Sequence, residues 1–158
     1  MTARDIVFVD VVQFDVRVSD PSALPFDPPA SNTVTTWGTR DVLWLGLDEW
    51  LVVGDGRTER TILEELELAL ADHHHSVVDV SANRAVFDLV DGPEGLESGC
   101  GLDLDPSHWT PGMCAQTLFA QAQVILQQRD ERTTRVFVRP SFAGYFLRRL
   151  GSAPTDRG

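Results

Sequence analysis

The reading of the fold turns on Val78-Asp79-Val80-Ser81-Ala82-Asn83-Arg84. Taken as a β-strand, its period of two puts Asp79, Ser81 and Asn83 in one row, about 7 Å from one to the next, with Val78, Val80 and Ala82 on the opposite face. The stretch sits within a longer extended run, Val77 to Val90, bent near Asn83-Arg84. A polar row of this kind can read a ligand, or it can satisfy a turn or a neighbouring chain. With no lysine, metal set or nucleophile beside it, we favour the structural network.

Working toward the N-terminus, His73-His74-His75 reads as a connecting loop, because consecutive positions cannot all face one metal. Before it, a helix opens at Asp55-Gly56-Arg57-Thr58 and runs to about Asp72. Ile62, Leu63, Leu66, Ala69 and Leu70 fall within roughly 120° of arc, while Leu68 points to the far side as a candidate second packing surface. Val42 to Leu45 and Trp50 to Val53 are apolar on both faces, and Gly46-Leu47-Asp48-Glu49 supplies a hairpin turn between them. Four of the nine prolines lie between Asp20 and Thr36, which predicts an irregular loop or arm. Ile6 to Val18 alternates β-branched and aromatic residues and predicts a strand.

Toward the C-terminus, Glu94 to Ser98 has room for about one helical turn, and Gly99 to Gly112 reads as loop. Thr117 to Gln127 and Arg135 to Val138 predict two further strands, the second stopped by Pro140. Ser141 can cap a last helix in which Phe142, Tyr145, Phe146 and Leu150 share a face; Arg148 and Arg149 suit its C-terminal end, and Gly151 ends it. The sum is an α+β protein, with a mixed or antiparallel sheet and two main helices. We divide it into an N-terminal strand and Pro-rich arm over 1–40, an α+β region over 41–151 and a flexible tail over 152–158, one structural domain in all.

Composition narrows the chemistry. The chain has 158 residues and a formal net charge of -11, and all 13 of its basic residues are arginine. Without lysine there is no Schiff-base chemistry and no phosphate-loop or kinase lysine. The acidic balance argues against nucleic acid as a partner. No apolar run is long enough to span a bilayer, and an acid at Asp5 is unlike a signal peptide, so the expected location is the cytoplasm. Cys100 and Cys114 with His108 fit no zinc spacing, and no Gly-rich phosphate loop or Gly-x-Ser-x-Gly elbow occurs. No catalytic residue, metal ligand or cofactor-binding residue is therefore expected in this chain.

Several ordered blocks carry a family resemblance: Val78 to Arg84, Gly92-Pro93, Gly99-Cys100 with Leu102-Asp103-Leu104, Pro111-Gly112 with Cys114-Ala115-Gln116-Thr117, and Val138-Arg139 with Ser141-Phe142-Ala143. Together with Gly46-Leu47-Asp48-Glu49-Trp50, they resemble the gamma subunit family of heterotetrameric sarcosine oxidase. That family is in turn similar to the folate-binding fold of the glycine-cleavage aminomethyltransferase, so the resemblance implies an aminomethyltransferase folate-binding-domain-like architecture. The aminomethyltransferase pattern carries an Asp in the strand after its Pro-Gly turn; here Ala122-Gln123-Val124-Ile125-Leu126-Gln127 has no acid. A chain without that carboxylate should not perform the transfer.

The resemblance thus implies a small non-catalytic subunit of a flavoenzyme that oxidatively N-demethylates sarcosine or a related N-methyl amine and passes the one-carbon unit to tetrahydrofolate. Its partners would be larger flavoprotein subunits, and the holo-complex would carry FAD, FMN and NAD. Asp79, Ser81, Asn83, Arg84, Gln116, Arg139, Leu68 and Trp109 are the structural or interface candidates. The alternative is a stand-alone folate-binding protein or aminomethyltransferase-like carrier using the edge Asp79, Ser81, Asn83 and Arg84.

Overall fold

A computed structural model describes residues 6–90, 96 and 99–151. The short turn expected over Glu94 to Ser98, Leu96 apart, and the tail expected to be flexible over 152–158 lie outside the described residues. The chain divides into two compact units, one of residues 10–82 and one of residues 1–9 with 83–158.

Unit 10–82 is built on β2 (Val11–Val18), β3 (Val34–Trp37), β4 (Arg40–Gly46), β5 (Glu49–Asp55), α1 (Glu59–Leu70) and β6 (His75–Asp79). Its sheet order is β3-β4-β5-β2-β6, antiparallel throughout. The hairpin expected around Gly46 is β4–β5, and both strands are heavily buried because α-helix and neighbouring strands leave them little solvent. Ile62, Leu66 and Leu70 recur at a spacing of four and are fully buried, so one stripe of α1 covers Phe14, Val16, Val52 and Trp50. Leu68 is 82% exposed on the other side of the helix.

The second unit holds β1 (Ile6–Phe8), β7 (Ala85–Val90), β8 (Cys114–Phe119), β9 (Ala122–Gln128), β10 (Thr133–Val138) and α2 (Pro140–Gly151). The strand order is β1-β7-β10-β9-β8, again antiparallel. Phe146 and Leu150 of α2 are fully buried against Phe87, Leu89, Phe119, Leu126 and Val136. Phe146 stacks at 5.3 Å on Phe87 and 4.7 Å on Phe119, which fixes the helix on one face of this sheet. Among the described residues, two sheets and the two twelve-residue helices α1 and α2 make an antiparallel α+β fold, as expected.

Several sequence expectations are corrected. Ile6 to Val18 is two strands broken at Val9-Asp10, one in each unit, so no boundary falls at residue 40: β2 is central in its sheet, between β5 and β6. The Pro-rich segment is not a free arm. Leu24 and Phe26 are buried in the core of unit 10–82, Phe26 meets Trp37 at 5.5 Å, and Val34–Trp37 pairs with β4. The extended run Val77 to Val90 is broken by a 3-10 turn over Ser81–Asn83, where one unit gives way to the other. Thr117 to Gln127 is a hairpin and not one strand. Its turn was hidden because Ala120, at φ 53, occupies the left-handed region that Gly or Asn usually marks.

Candidate functional site

The register of β7, β8, β9 and β10 determines which side chains share the face away from α2. Ala85, Phe87, Ala115, Phe119, Ala122, Val124, Leu126, Val136 and Val138 pack toward the helix. Period two therefore sends Val86, Gln116, Leu118, Gln123, Ile125 and Phe137 to the opposite face. Cross-strand partners Gln116↔Ile125, Leu118↔Gln123 and Phe137↔Ile125 make these residues neighbours. Of these, Gln116, Leu118, Gln123, Ile125 and Phe137 line a cleft of about 530 Å³ together with Arg84, Arg139 and Gly101. A second depression, lined by Asn83, Arg84, Arg139, Pro140 and Ser141, shares the two arginines.

The same register explains the arginines. β7 and β10 pair Asp88 with Arg135, Val86 with Phe137, and Ala85 with Val138. One step beyond that last pair, Arg84 and Arg139 face each other across the end of the ladder. Two steps inside the ladder from Phe137, Arg135 forms a two-pronged ion pair with Asp88, Nε to Oδ1 at 2.8 Å and an amino nitrogen to Oδ2 at 3.1 Å. Arg135 is thereby neutralised inside the ladder.

Of the sequence candidates, Arg84, Gln116 and Arg139 are brought together in the cleft. Asp79 and Ser81 do not join them in a strand row, because the chain turns after Asp79. Asp79 Oδ1 accepts from the Ser81 backbone N–H at 2.9 Å, and Ser81 Oγ accepts from the Gln13 N–H at 2.9 Å. With Val80 N–H donating to the Gln13 carbonyl at 2.8 Å, this is a turn fastened to β2 within unit 10–82. Asn83 borders the second depression. Trp109, an interface candidate by sequence, is a core residue: it is 6% exposed, and its Nε1 donates to Gln128 Oε1 at 2.7 Å. Sequence reasoning missed Gln123, Leu118, Ile125 and Phe137, whose common face depends on a hairpin register that nothing local announces.

Electrostatics adds no acid–base pair to the cleft. The carboxyls of Asp20, Asp105 and Asp130 are held below their ordinary range chiefly by hydrogen bonds from Ser22, Ser107 and Arg132, all within turns. Glu65 is lowered by its bond from Arg40. Carboxylates held low are poor general bases. His75 Nε2 lies 3.3 Å from Glu67 and His108 Nδ1 lies 3.0 Å from Asp103, both partly or fully in solvent. Among the described residues no cluster of His, Cys, Asp and Glu could hold a metal, and no helix is long and apolar enough to cross a membrane. Cys100 and Cys114 form no disulfide.

Fold and cleft together define an antiparallel α+β module with a recess that Arg84 and Arg139 both line. Residues 10–156 match the model of the sarcosine oxidase, gamma subunit family, and the chain belongs to that family. The sarcosine oxidase subunit gamma of Corynebacterium sp. (strain P-1) is 33% identical over 118 residues, 73% of this chain and 57% of that protein. A subunit gamma from Arthrobacter sp. is likewise 33% identical over 121 residues, again 73% of this chain and 57% of that protein. The chain thus spans a little over half the length of the curated relatives it matches. Heterotetrameric sarcosine oxidase from Corynebacterium sp. U-96, solved in complex with pyrrole 2-carboxylate, matches with TM-score 0.85 and 27% identity, over 98% of this chain and 85% of the matched one. Aminomethyltransferase T of the glycine cleavage system from Bartonella henselae shares the fold at TM-score 0.68 and 12% identity, over 93% of this chain and 45% of that one.

Proposed function

We propose that this chain is the small, non-catalytic gamma subunit of a heterotetrameric sarcosine oxidase-type flavoenzyme in the cytoplasm. The observation that carries the reading is the match to heterotetrameric sarcosine oxidase over 98% of the chain at TM-score 0.85. In this reading the flavins and NAD sit in the larger subunits, where oxidation of sarcosine or a related N-methyl amine releases a one-carbon unit to tetrahydrofolate. This chain completes the assembly. Its surface supports such a role: Leu68 is 82% exposed on α1, Leu47 is 90% exposed at the β4–β5 turn, and Phe8 is 66% exposed on the edge strand β1. Large apolar side chains left in water are contact surface in waiting. The net charge of -11 favours a partner with Arg or Lys around the rim of the contact.

The test is co-expression with the larger flavoprotein subunits of a heterotetrameric sarcosine oxidase, followed by size exclusion with absorbance read at the flavin band. The chain is expected to elute with flavin in one high-mass peak, and Leu68→Glu to weaken that association while leaving the fold intact. Elution as a monomer, apart from every flavoprotein supplied, would refute the assignment.

A further inference from the structure

We infer that the outer edge of β1 (Ile6–Phe8) is the docking line for a β-strand of a larger flavoprotein subunit, which adds a strand to this five-stranded sheet. The inference rests on the assembly role proposed above and names its contact. The ladder shows which main-chain groups are on offer. Val9 N–H donates to the Val86 carbonyl at 2.9 Å, and β1 continues in the same register, with Phe8 opposite Phe87, Val7 opposite Asp88 and Ile6 opposite Leu89. Antiparallel partners alternate between bonded and non-bonded pairs, so Val9 and Val7 turn their N–H and C=O toward β7 while Ile6 and Phe8 turn theirs outward. Among the described residues β1 ends the strand order, which leaves that outward row facing away from the sheet.

The side chains fit the same use. Ile6, Val7 and Phe8 are 39%, 51% and 66% exposed, three consecutive apolar residues on an edge that carries no charge, proline or bulge to discourage pairing. The other edges are guarded: β6 carries His75, Ser76 and Asp79, β3 has Thr35 and Thr36 at its centre, and β8 is bridged at Phe119 by Cys100. Ile6 and Phe8 stand beside Leu89 and Phe87, which are buried in the core under α2, so their row continues that core past the last strand. Phe8 is held there edge-on to Phe87 at 5.6 Å. The occupant follows from size and charge. Three residues paired with a second copy bury far less than the roughly 800 Å² per partner of a stable dimer, and each copy carries a charge of -11. A larger subunit supplies the remaining contact area, and a strand with apolar residues beside Ile6 and Phe8 and basic residues flanking them complements this edge in shape and charge.

The experiment compares the free chain with the co-expressed flavoprotein complex by amide hydrogen exchange, resolved to single residues by fragmentation mass spectrometry. In the complex the Ile6 and Phe8 amides should exchange at least about tenfold more slowly than in the free chain. A variant gives the second readout. Phe8→Pro removes an outward N–H and leaves the Val7 and Val9 donors in place, as an edge strand allows. It should weaken the complex, measured as dissociation on dilution, by about tenfold beyond Phe8→Ala. Unchanged exchange at both amides, or a Phe8→Pro complex as tight as that of Phe8→Ala, would overturn the docking line and leave the assembly role standing. Slowing that appears in the free chain and grows with its own concentration would give the edge to a second copy and overturn it as well. A wild-type chain that binds no flavoprotein subunit would take both readings down.

Discussion

Gln128→Leu offers the sharpest test of how the second unit is held together. The side chain of Gln128 is 4% exposed and makes three hydrogen bonds: its Oε1 accepts from Trp109 Nε1 and from Thr134 Oγ1, each at 2.7 Å, and its Nε2 donates to the Asp130 carbonyl at 2.7 Å. Leucine keeps most of the volume, so the loss is in polar satisfaction and not in a cavity. Thr134 is fully buried and Trp109 nearly so, which leaves a hydroxyl and an indole N–H without water or partner. At about 1–3 kcal/mol for each orphaned group, and little for the more accessible Asp130 carbonyl, the expected cost is about 4 kcal/mol. For a chain of this length that is a fall of about 8–16 °C in melting temperature. Equilibrium urea unfolding followed by tryptophan fluorescence measures it directly. A double-mutant cycle supplies the control: Trp109→Phe should cost at least about 1 kcal/mol less in the Gln128→Leu background than in wild type. A Gln128→Leu penalty under about 1 kcal/mol, or no coupling to Trp109, would refute the reasoning.

Three further outcomes follow from the same geometry. Asp88→Ala should cost about 3 kcal/mol in urea unfolding, because Arg135 is 9% exposed at its side chain and would keep a buried charge; Asp88→Leu with Arg135→Met should recover most of that loss. A methyl at Gly54 would stand 2.5 Å from Ile62 Cδ1 and 3.1 Å from Thr58 Oγ1, so Gly54→Ala should cost about 1–3 kcal/mol, and adding Ile62→Val should restore part of it. Asp130 is lowered from 3.8 by the Arg132 N–H first, so its contribution is complete above the unfolded carboxyl pKa and disappears as pH falls through the depressed folded value. Stability followed by denaturant titration should therefore drop more steeply below about pH 4 in wild type than in Asp130→Ala. Parallel acid profiles for the two proteins would show that Asp130 contributes nothing to the pH dependence.

Much of the fold was legible because it is written locally. The spacing Ile62, Leu66, Leu70 against the outward Leu68 describes one helix, and Phe146 with Leu150 describes the other. Val42 to Val53 shows its hairpin through two apolar runs and a polar turn. What failed, failed where local signals conflict with long-range pairing. Ala120 turns a hairpin without a turn residue, and Val34–Trp37 forms a strand in a stretch whose prolines argue against one. Asp79 and Ser81 alternate as a strand would, yet each finds a better partner in a turn: Ser81 N–H for Asp79, and the Gln13 backbone for Ser81. Trp109 reads as a loop aromatic available to a partner, and only its bond to Gln128 shows that it seals the core.

The candidate site divides the same way. Sequence alone determined that the chain has no lysine and no nucleophile or metal pattern. It also singled out Arg84, Gln116 and Arg139 through the blocks that resemble the gamma subunit family. Those are properties of composition and order, which need no contact to be read. That Arg84 and Arg139 oppose each other, with Gln123, Leu118 and Phe137 beside them, was decided by the β7–β10–β9–β8 register alone. Residues 55 positions apart meet only because antiparallel pairing fixes them one step past Ala85 and Val138, and a slip of one residue would turn the whole row to the other face of the sheet.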